Sequence, residues 1–111
     1  MNIQIFGKKK CFDTGKAQRW FKERGIKFQY IDLNRDGISP GELNNVARTV
    51  GGMRNMLDPD AKGDAADLVR YLSGDITNYL LDEPTLLKTP IVRNGKQVTL
   101  GYQPDIWKNW E

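Results

Sequence analysis

Apolar residues recur along this chain with two different periods. Near the start, Ile3, Ile5 and Phe6 make a short β-branched and aromatic run that predicts a strand. Asp13 and Thr14 then offer N-cap side chains, and Ala17, Trp20 and Phe21 fall at helical spacing. The pattern predicts a helix from Thr14 to about Arg24, stopped by Gly25. Strand composition returns over residues 27–33, where Phe28, Tyr30, Ile31 and Leu33 supply the apolar positions. Strand, helix and strand within about thirty residues make a βαβ unit, whose strands run parallel. Ser39-Pro40-Gly41-Glu42 reads as a capping box with proline at N1. Leu43, Val46, Ala47 and Val50 behind it follow i, i+3, i+4, i+7 up to Gly51-Gly52.

The next stretch stays helical. Met53, Met56 and Leu57 form an apolar cluster, Ala65, Leu68, Val69 and Leu72 repeat the helical spacing, and shorter pieces follow around Thr77 to Leu81 and from Pro84. No strand-like run interrupts residues 39–88. Strands return at 89–93 and 97–102, on either side of Asn94-Gly95, a two-residue hairpin signal. A last helix from about Pro104 to Trp110 buries Ile106 and one or both of its tryptophans. The expected architecture is one α/β domain over residues 1–111, ordered β-α-β, helical insertion, β-hairpin, α.

Composition narrows the chemistry. The chain has 111 residues, 39% hydrophobic and 28% charged, which suits one folded domain with a real core. No apolar run reaches the length of a membrane span and no signal-peptide h-region is present, so the expected location is cytoplasmic. A single cysteine rules out an internal disulfide. The absence of histidine removes Cys-His and Ser-His catalysis together with imidazole metal sites. Asp32-Leu33-Asn34-Arg35-Asp36-Gly37 has the first ligand positions of an EF-hand loop, but Leu43 stands at position 12 and Glu42 one residue early. A turn followed by the capping box explains the same letters, and no metal is expected.

The net charge of +3 is unevenly spread. Lys8, Lys9, Lys10, Lys16, Arg19, Lys22, Arg24 and Lys27 face only Asp13 and Glu23 within the first thirty residues. A solvated helix face is one reading; a field that lowers a thiol pKa and draws in an anion is the other. No nucleic-acid signature accompanies these residues, so direct nucleic-acid binding is not expected.

The candidate nucleophile is Cys11, in a basic loop between a strand and a helix N-terminus, where unpaired N–H groups and the helix dipole favour thiolate. An inert packing cysteine is the alternative. A phosphatase loop needs Arg six residues after the thiol, where Ala17 stands, and a nucleotide-binding P-loop fails at Lys10 and Ala17. Thr14 stands where a Cys-x-x-Cys pair would place its second thiol; its hydroxyl can cap the helix or hydrogen-bond a thiolate. Lys10 and Lys16 are candidates for stabilising that thiolate.

Cys11-x-x-Thr14-x-Lys16-Ala17-x-Arg19-Trp20, Gly25-Ile26 leading into 28–33, the helical block, and Leu86-Leu87-Lys88-Thr89-Pro90-Ile91-Val92 through Leu100-Gly101-Tyr102 together resemble the arsenate reductase/Spx-like family. The resemblance covers essentially the whole chain. It implies a thioredoxin-like fold with a mixed four-stranded sheet and a helical insertion at about 39–88. It implies Cys11 as nucleophile, Thr14 in the hydroxyl or resolving-thiol position, and Thr89-Pro90 as a cis-proline pair presenting backbone to substrate. Arginines of the family fall at Thr89, at Gly15 and near Asp58 here, with Arg54 one turn earlier and Arg93 on the hairpin as candidate anion-binding replacements. The implied activity is that of a monothiol oxidoreductase with no bound cofactor, forming a mixed disulfide with glutathione or a glutaredoxin-type thiol partner. Arsenate reduction and an Spx-like role, binding the RNA polymerase α-subunit through the region near Gly51-Gly52, are the alternatives.

Overall fold

The computed structural model describes residues 1–110. Strand β1 (Ile3–Gly7) is followed by α1 (Phe12–Glu23) and β2 (Phe28–Asp32). Helices α2 (Pro40–Thr49), α3 (Asp64–Tyr71) and α4 (Thr77–Asp82) form the insertion, with short 3-10 turns at Met53–Met56 and Pro84–Leu86. Strands β3 (Ile91–Asn94) and β4 (Gln97–Leu100) and helix α5 (Pro104–Trp107) complete the order.

The strands form one sheet in the order β2-β1-β3-β4. β1 and β2 are parallel, joined by the α1 crossover, with Ile5 opposite Tyr30. β3 runs antiparallel to both β1 and β4, with Ile5 opposite Val92 and Ile91 opposite Leu100. This is the expected mixed four-stranded sheet.

Alternation along β1 separates two cores, because successive side chains in a strand point to opposite faces. Ile3 and Ile5 pack with Ala17, Trp20, Phe21, Val92 and Trp107, under α1 and α5. Phe6 faces the other way, into the insertion, with Leu43, Val46, Met56, Val69, Leu80, Leu87 and Ile91. Trp107 stacks edge-on against Trp20, and its Nε1–H donates to the buried Thr99 hydroxyl at 2.7 Å. The larger core thus exists because the insertion covers a sheet face that α1 cannot reach.

Local signals held at α2: Ser39 Oγ accepts from the Glu42 N–H and Glu42 Oε1 accepts from the Ser39 N–H, a complete capping box. Residues 32–37 form the turn, with Asp32 Oδ1 accepting from Asn34 N–H at 2.9 Å. Several details differ from expectation. Helix α1 begins at Phe12, and Cys11 itself is the N-cap, so Thr14 lies inside the helix. In α3 the buried residues are Ala66 and Val69, whereas Leu68 is 52% exposed, because Arg70 and Arg54 fix the helix by its ends in a rotation that periodicity alone misassigned. The hairpin turn is Gly95-Lys96, with Asn94 paired to Gln97 in the ladder and Gly95 at φ 59. Asn94 is held in the strand by its side-chain bond to Gln97 Oε1. Ile106 is exposed while Trp107 is buried.

Candidate functional site

β1 ends at Gly7, and four intervening residues lead into α1 at Phe12. Lys10 takes a positive φ of 62, which turns the backbone so that Cys11 heads the helix. Cys11 is half-buried. Across from it, the Thr89-Pro90 peptide is cis, and both residues are buried. The Thr89 hydroxyl donates to Cys11 Sγ at 3.1 Å, and the thiol in turn lies 3.7 Å from the Thr89 carbonyl oxygen. Residues 78 positions apart therefore share one hydrogen-bonded contact.

Thr14 begins the buried stripe of α1 that continues through Ala17 and Phe21. Its hydroxyl is buried and accepts or donates no hydrogen bond among the described residues while the thiol is neutral. Burial pushes the Cys11 thiol up, but the Thr14 and Thr89 hydroxyls, the Thr14 N–H and the Lys8 charge outweigh it, and the thiol lies below its ordinary value. No cap bond forms to the neutral thiol. The Thr14 groups are donors that a thiolate, a stronger acceptor, would take up.

Gly7 makes this packing possible. A Cβ there would lie 2.3 Å from Thr14 Cγ2 and 2.9 Å from the Tyr30 ring and hydroxyl. The missing side chain lets the end of β1 receive both residues. Tyr30 stands near enough to feel the thiolate: burial, then Asp32, then Cys11 raise its phenol above the usual value.

The basic residues divide unexpectedly. Lys10 is exposed. Lys16 is exposed too, 3.9 Å from Asp13 Oδ1 and 5.8 Å from the centre of the Tyr102 ring. Lys8 supplies the charge that Cys11 feels. Its Nζ donates to Asp58 Oδ2, the Thr85 carbonyl and the Leu87 carbonyl, each at 2.9 Å, and so ties the Cys11 loop to the insertion. Strand alternation was the available signal: two residues beyond Phe6, Lys8 continues the face that points at the insertion. Nothing local marked Gly7 or Tyr30.

Arg54 and Arg93 are not brought to the thiol. Arg54 donates to the Val69, Leu72 and Gly74 carbonyls and so caps the end of α3. Arg93 lies opposite Gln4, toward the far end of β1 from Gly7, 3.6 Å from Glu42 on α2. Both are consumed by structure, because guanidinium groups near free carbonyls or a carboxylate satisfy those first. Among the described residues no cluster of three or more acidic or thiol side chains is placed to hold a metal ion. Nor is any helix among the described residues long and apolar enough to cross a membrane.

No family model matches the chain. It is 28% identical over 114 residues to global transcriptional regulator Spx 2 of Oceanobacillus iheyensis, covering 95% of this chain and 80% of that protein. It is 22% identical to global transcriptional regulator Spx of Staphylococcus aureus, over 93% of this chain and 82% of that one. Among solved structures, an arsenate reductase from Vibrio cholerae superposes with a TM-score of 0.82 at 21% identity, covering 96% of this chain and 94% of the other. The glutaredoxin-like NrdH-redoxin from Escherichia coli superposes with a TM-score of 0.52 at 18% identity, over 100% of this chain and 96% of its own. Along nearly its whole length the chain is thus similar in sequence to Spx regulators, and it shares its thioredoxin-like fold with the arsenate reductase and the glutaredoxin-like redoxin.

Proposed function

We propose that this protein is a monothiol oxidoreductase in which Cys11 thiolate attacks a disulfide, of glutathione or of a thiol partner. The Cys11 sulfur forms a new S–S bond with one sulfur of the disulfide, and the other leaves with the electron pair as a thiolate. With Cys11 the only cysteine, a second thiol from solution must attack the mixed disulfide to regenerate it. The observation that carries this reading is the donor set around the sulfur: the Thr89 hydroxyl at 3.1 Å and the Thr14 groups at the start of α1, which together lower the thiol pKa. Thr14 and Thr89 are then positioning and stabilising residues, and Pro90 shapes the wall against which a partner backbone would lie.

An arsenate substrate is less well supported. The family's arginine positions are Thr89, Gly15 and the neighbourhood of Asp58 here, and Asp58 is an anion paired with Lys8. A planar, bidentate guanidinium is the group that grips an oxyanion, and a carboxylate repels it. Mass spectrometry after exposure to oxidised glutathione tests the proposal: one glutathione adduct on the wild type and none on Cys11→Ser is the expected result. Failure of the wild type to form any adduct contradicts it.

A second reading rests on the curated relatives, whose name is that of a transcriptional regulator. In it the chain docks on the RNA polymerase α-subunit by the region of Gly51-Gly52, where a surface cleft of about 630 Å³ is lined by Gly41, Asn45, Arg48, Gly52 and Met53. A pull-down with the C-terminal domain of that subunit separates the readings: capture supports the regulator, and no capture removes it.

A further inference from the structure

A second cleft, of about 390 Å³, runs along α1, lined by Lys16, Arg19, Trp20, Glu23, Arg24 and Tyr102. Three cations face one carboxylate, between two aromatic walls. Arg24 is committed, stacked on Trp20 at 4.0 Å and donating to the Trp20 carbonyl. Lys16 has a long, exposed contact with Asp13 and stands 5.8 Å from the centre of the Tyr102 ring, a wall of the same cleft. Arg19 is exposed and makes no hydrogen bond or ion pair among the described residues. It folds back along the helix to lie 3.6 Å from where a Cβ on Gly15 would stand.

That position matters because Cys11, Gly15 and Arg19 follow one another at i, i+4, i+8 and so form one row on the helix surface. Gly15 leaves a gap in the row, and Arg19 leans across it toward the thiol. Four residues of helix rise only about 6 Å, so the guanidinium stands one turn from Cys11. The other wall also adjoins the site: Tyr102 follows Gly101, whose N–H donates to the Pro90 carbonyl at 2.8 Å.

We propose that this cleft binds a carboxylate carried by the partner, so that the preferred substrate of Cys11 is an acidic peptide disulfide. The carboxylate would belong to an Asp or Glu one or two residues from the partner's cysteine. Arg19 would engage it through a bidentate pair and Lys16 would add its charge. Charge complementarity selects the occupant, since the unpaired Arg19 guanidinium and the loosely paired Lys16 ammonium favour an anion along α1 and repel a basic segment. The proposal rests on the reading of Cys11 as a reactive thiol.

The test uses short cysteine peptides activated as mixed disulfides with thiopyridine, one with Glu flanking the cysteine and one with Gln. Attack by Cys11 on the peptide sulfur forms the protein–peptide disulfide and releases thiopyridone, followed by absorbance. At low salt the wild type is expected to react about fivefold faster with the Glu peptide, the scale of two partly exposed ion pairs, and added salt should narrow the gap. In Arg19→Gln the Glu-to-Gln rate ratio should fall toward one, and Arg19→Glu should invert preference toward a Lys-flanked peptide. Equal rates in the wild type, or an undiminished ratio in Arg19→Gln, overturn the proposal. No release from any peptide overturns the reactive thiol itself, and the cleft's role falls with it.

Discussion

Replacing Lys8 by methionine removes one charge from a contact that joins the Cys11 loop to the insertion. The side chain keeps its length and its apolar stem. What is lost is three donations at 2.9 Å, to Asp58 Oδ2 and to the Thr85 and Leu87 carbonyls. The partners are mostly enclosed, with Lys8 and Asp58 side chains 16% and 19% exposed. Removing one member of an enclosed, hydrogen-bonded ion pair leaves the other desolvated and unpaired, which costs about 3–5 kcal/mol when burial is complete. Residual solvent access and the Asp60 N–H, which donates to Asp58 Oδ1 at 2.9 Å, reduce this to about 2–4 kcal/mol. For a domain of 111 residues that is a drop in Tm of roughly 8–16 °C.

The pair also carries a pH signature. Burial alone pushes the Asp58 carboxyl up, but the Lys8 hydrogen bond and charge and the Asp60 N–H outweigh it and hold the group below the usual carboxylate value. A carboxyl whose folded pKa is depressed contributes stability above its unfolded pKa of about 3.9 and loses it as pH falls through the lower folded value. Urea unfolding of wild type and Lys8→Met between neutral and acidic pH reads both quantities. The gap between the proteins should be largest near neutrality and shrink in acid, and Lys8→Met combined with Asp58→Leu should recover much of it. A loss below about 0.5 kcal/mol at neutral pH, or a gap that does not change with pH, would refute the assignment.

Other consequences are more local. Gly7→Ala should cost about 2–3 kcal/mol, since its Cβ would meet the Thr14 methyl at 2.3 Å, and should raise the Cys11 pKa as Thr14 is displaced; denaturation and alkylation rates measure the two effects. Thr89→Val keeps the shape of that side chain but removes the hydroxyl donor 3.1 Å from Cys11 Sγ, so the thiol pKa should rise with little change in Tm. Tyr30 should titrate above free tyrosine in an ultraviolet pH titration because of its burial, Asp32 and the thiolate, and its pKa should fall part of the way back in Cys11→Ser.

The fold was legible in the sequence wherever one period dominated. The βαβ opening, the Ser39 capping box and the strand composition around residues 91–100 all appear as read. Periodicity failed where contacts at the ends of an element set its rotation: Arg54 and Arg70 bond backbone carbonyls around α3, and these are not visible in the letters of α3. The hairpin shifted by one residue because Asn94, a turn former, found a partner in Gln97 and stayed in the strand. At the site, Cys11, Thr14, Thr89 and Pro90 could be singled out, but only the three-dimensional structure distinguishes Lys8 from Lys10. Lysine chains reach far, and which of three consecutive ammonium groups finds an acceptor depends on Asp58, fifty positions away. Arg54 and Arg93 failed for the same reason, since the acceptors that claim them lie on other elements.

The central claim is that Thr89, Thr14 and Lys8 lower the pKa of the Cys11 thiol and so favour its thiolate. The rate of iodoacetamide alkylation of the native protein, followed against pH and compared with the same chain unfolded in urea, measures it directly. The account predicts an inflection below that of the unfolded thiol, moving up in Thr89→Val. An inflection at or above the unfolded value would contradict it.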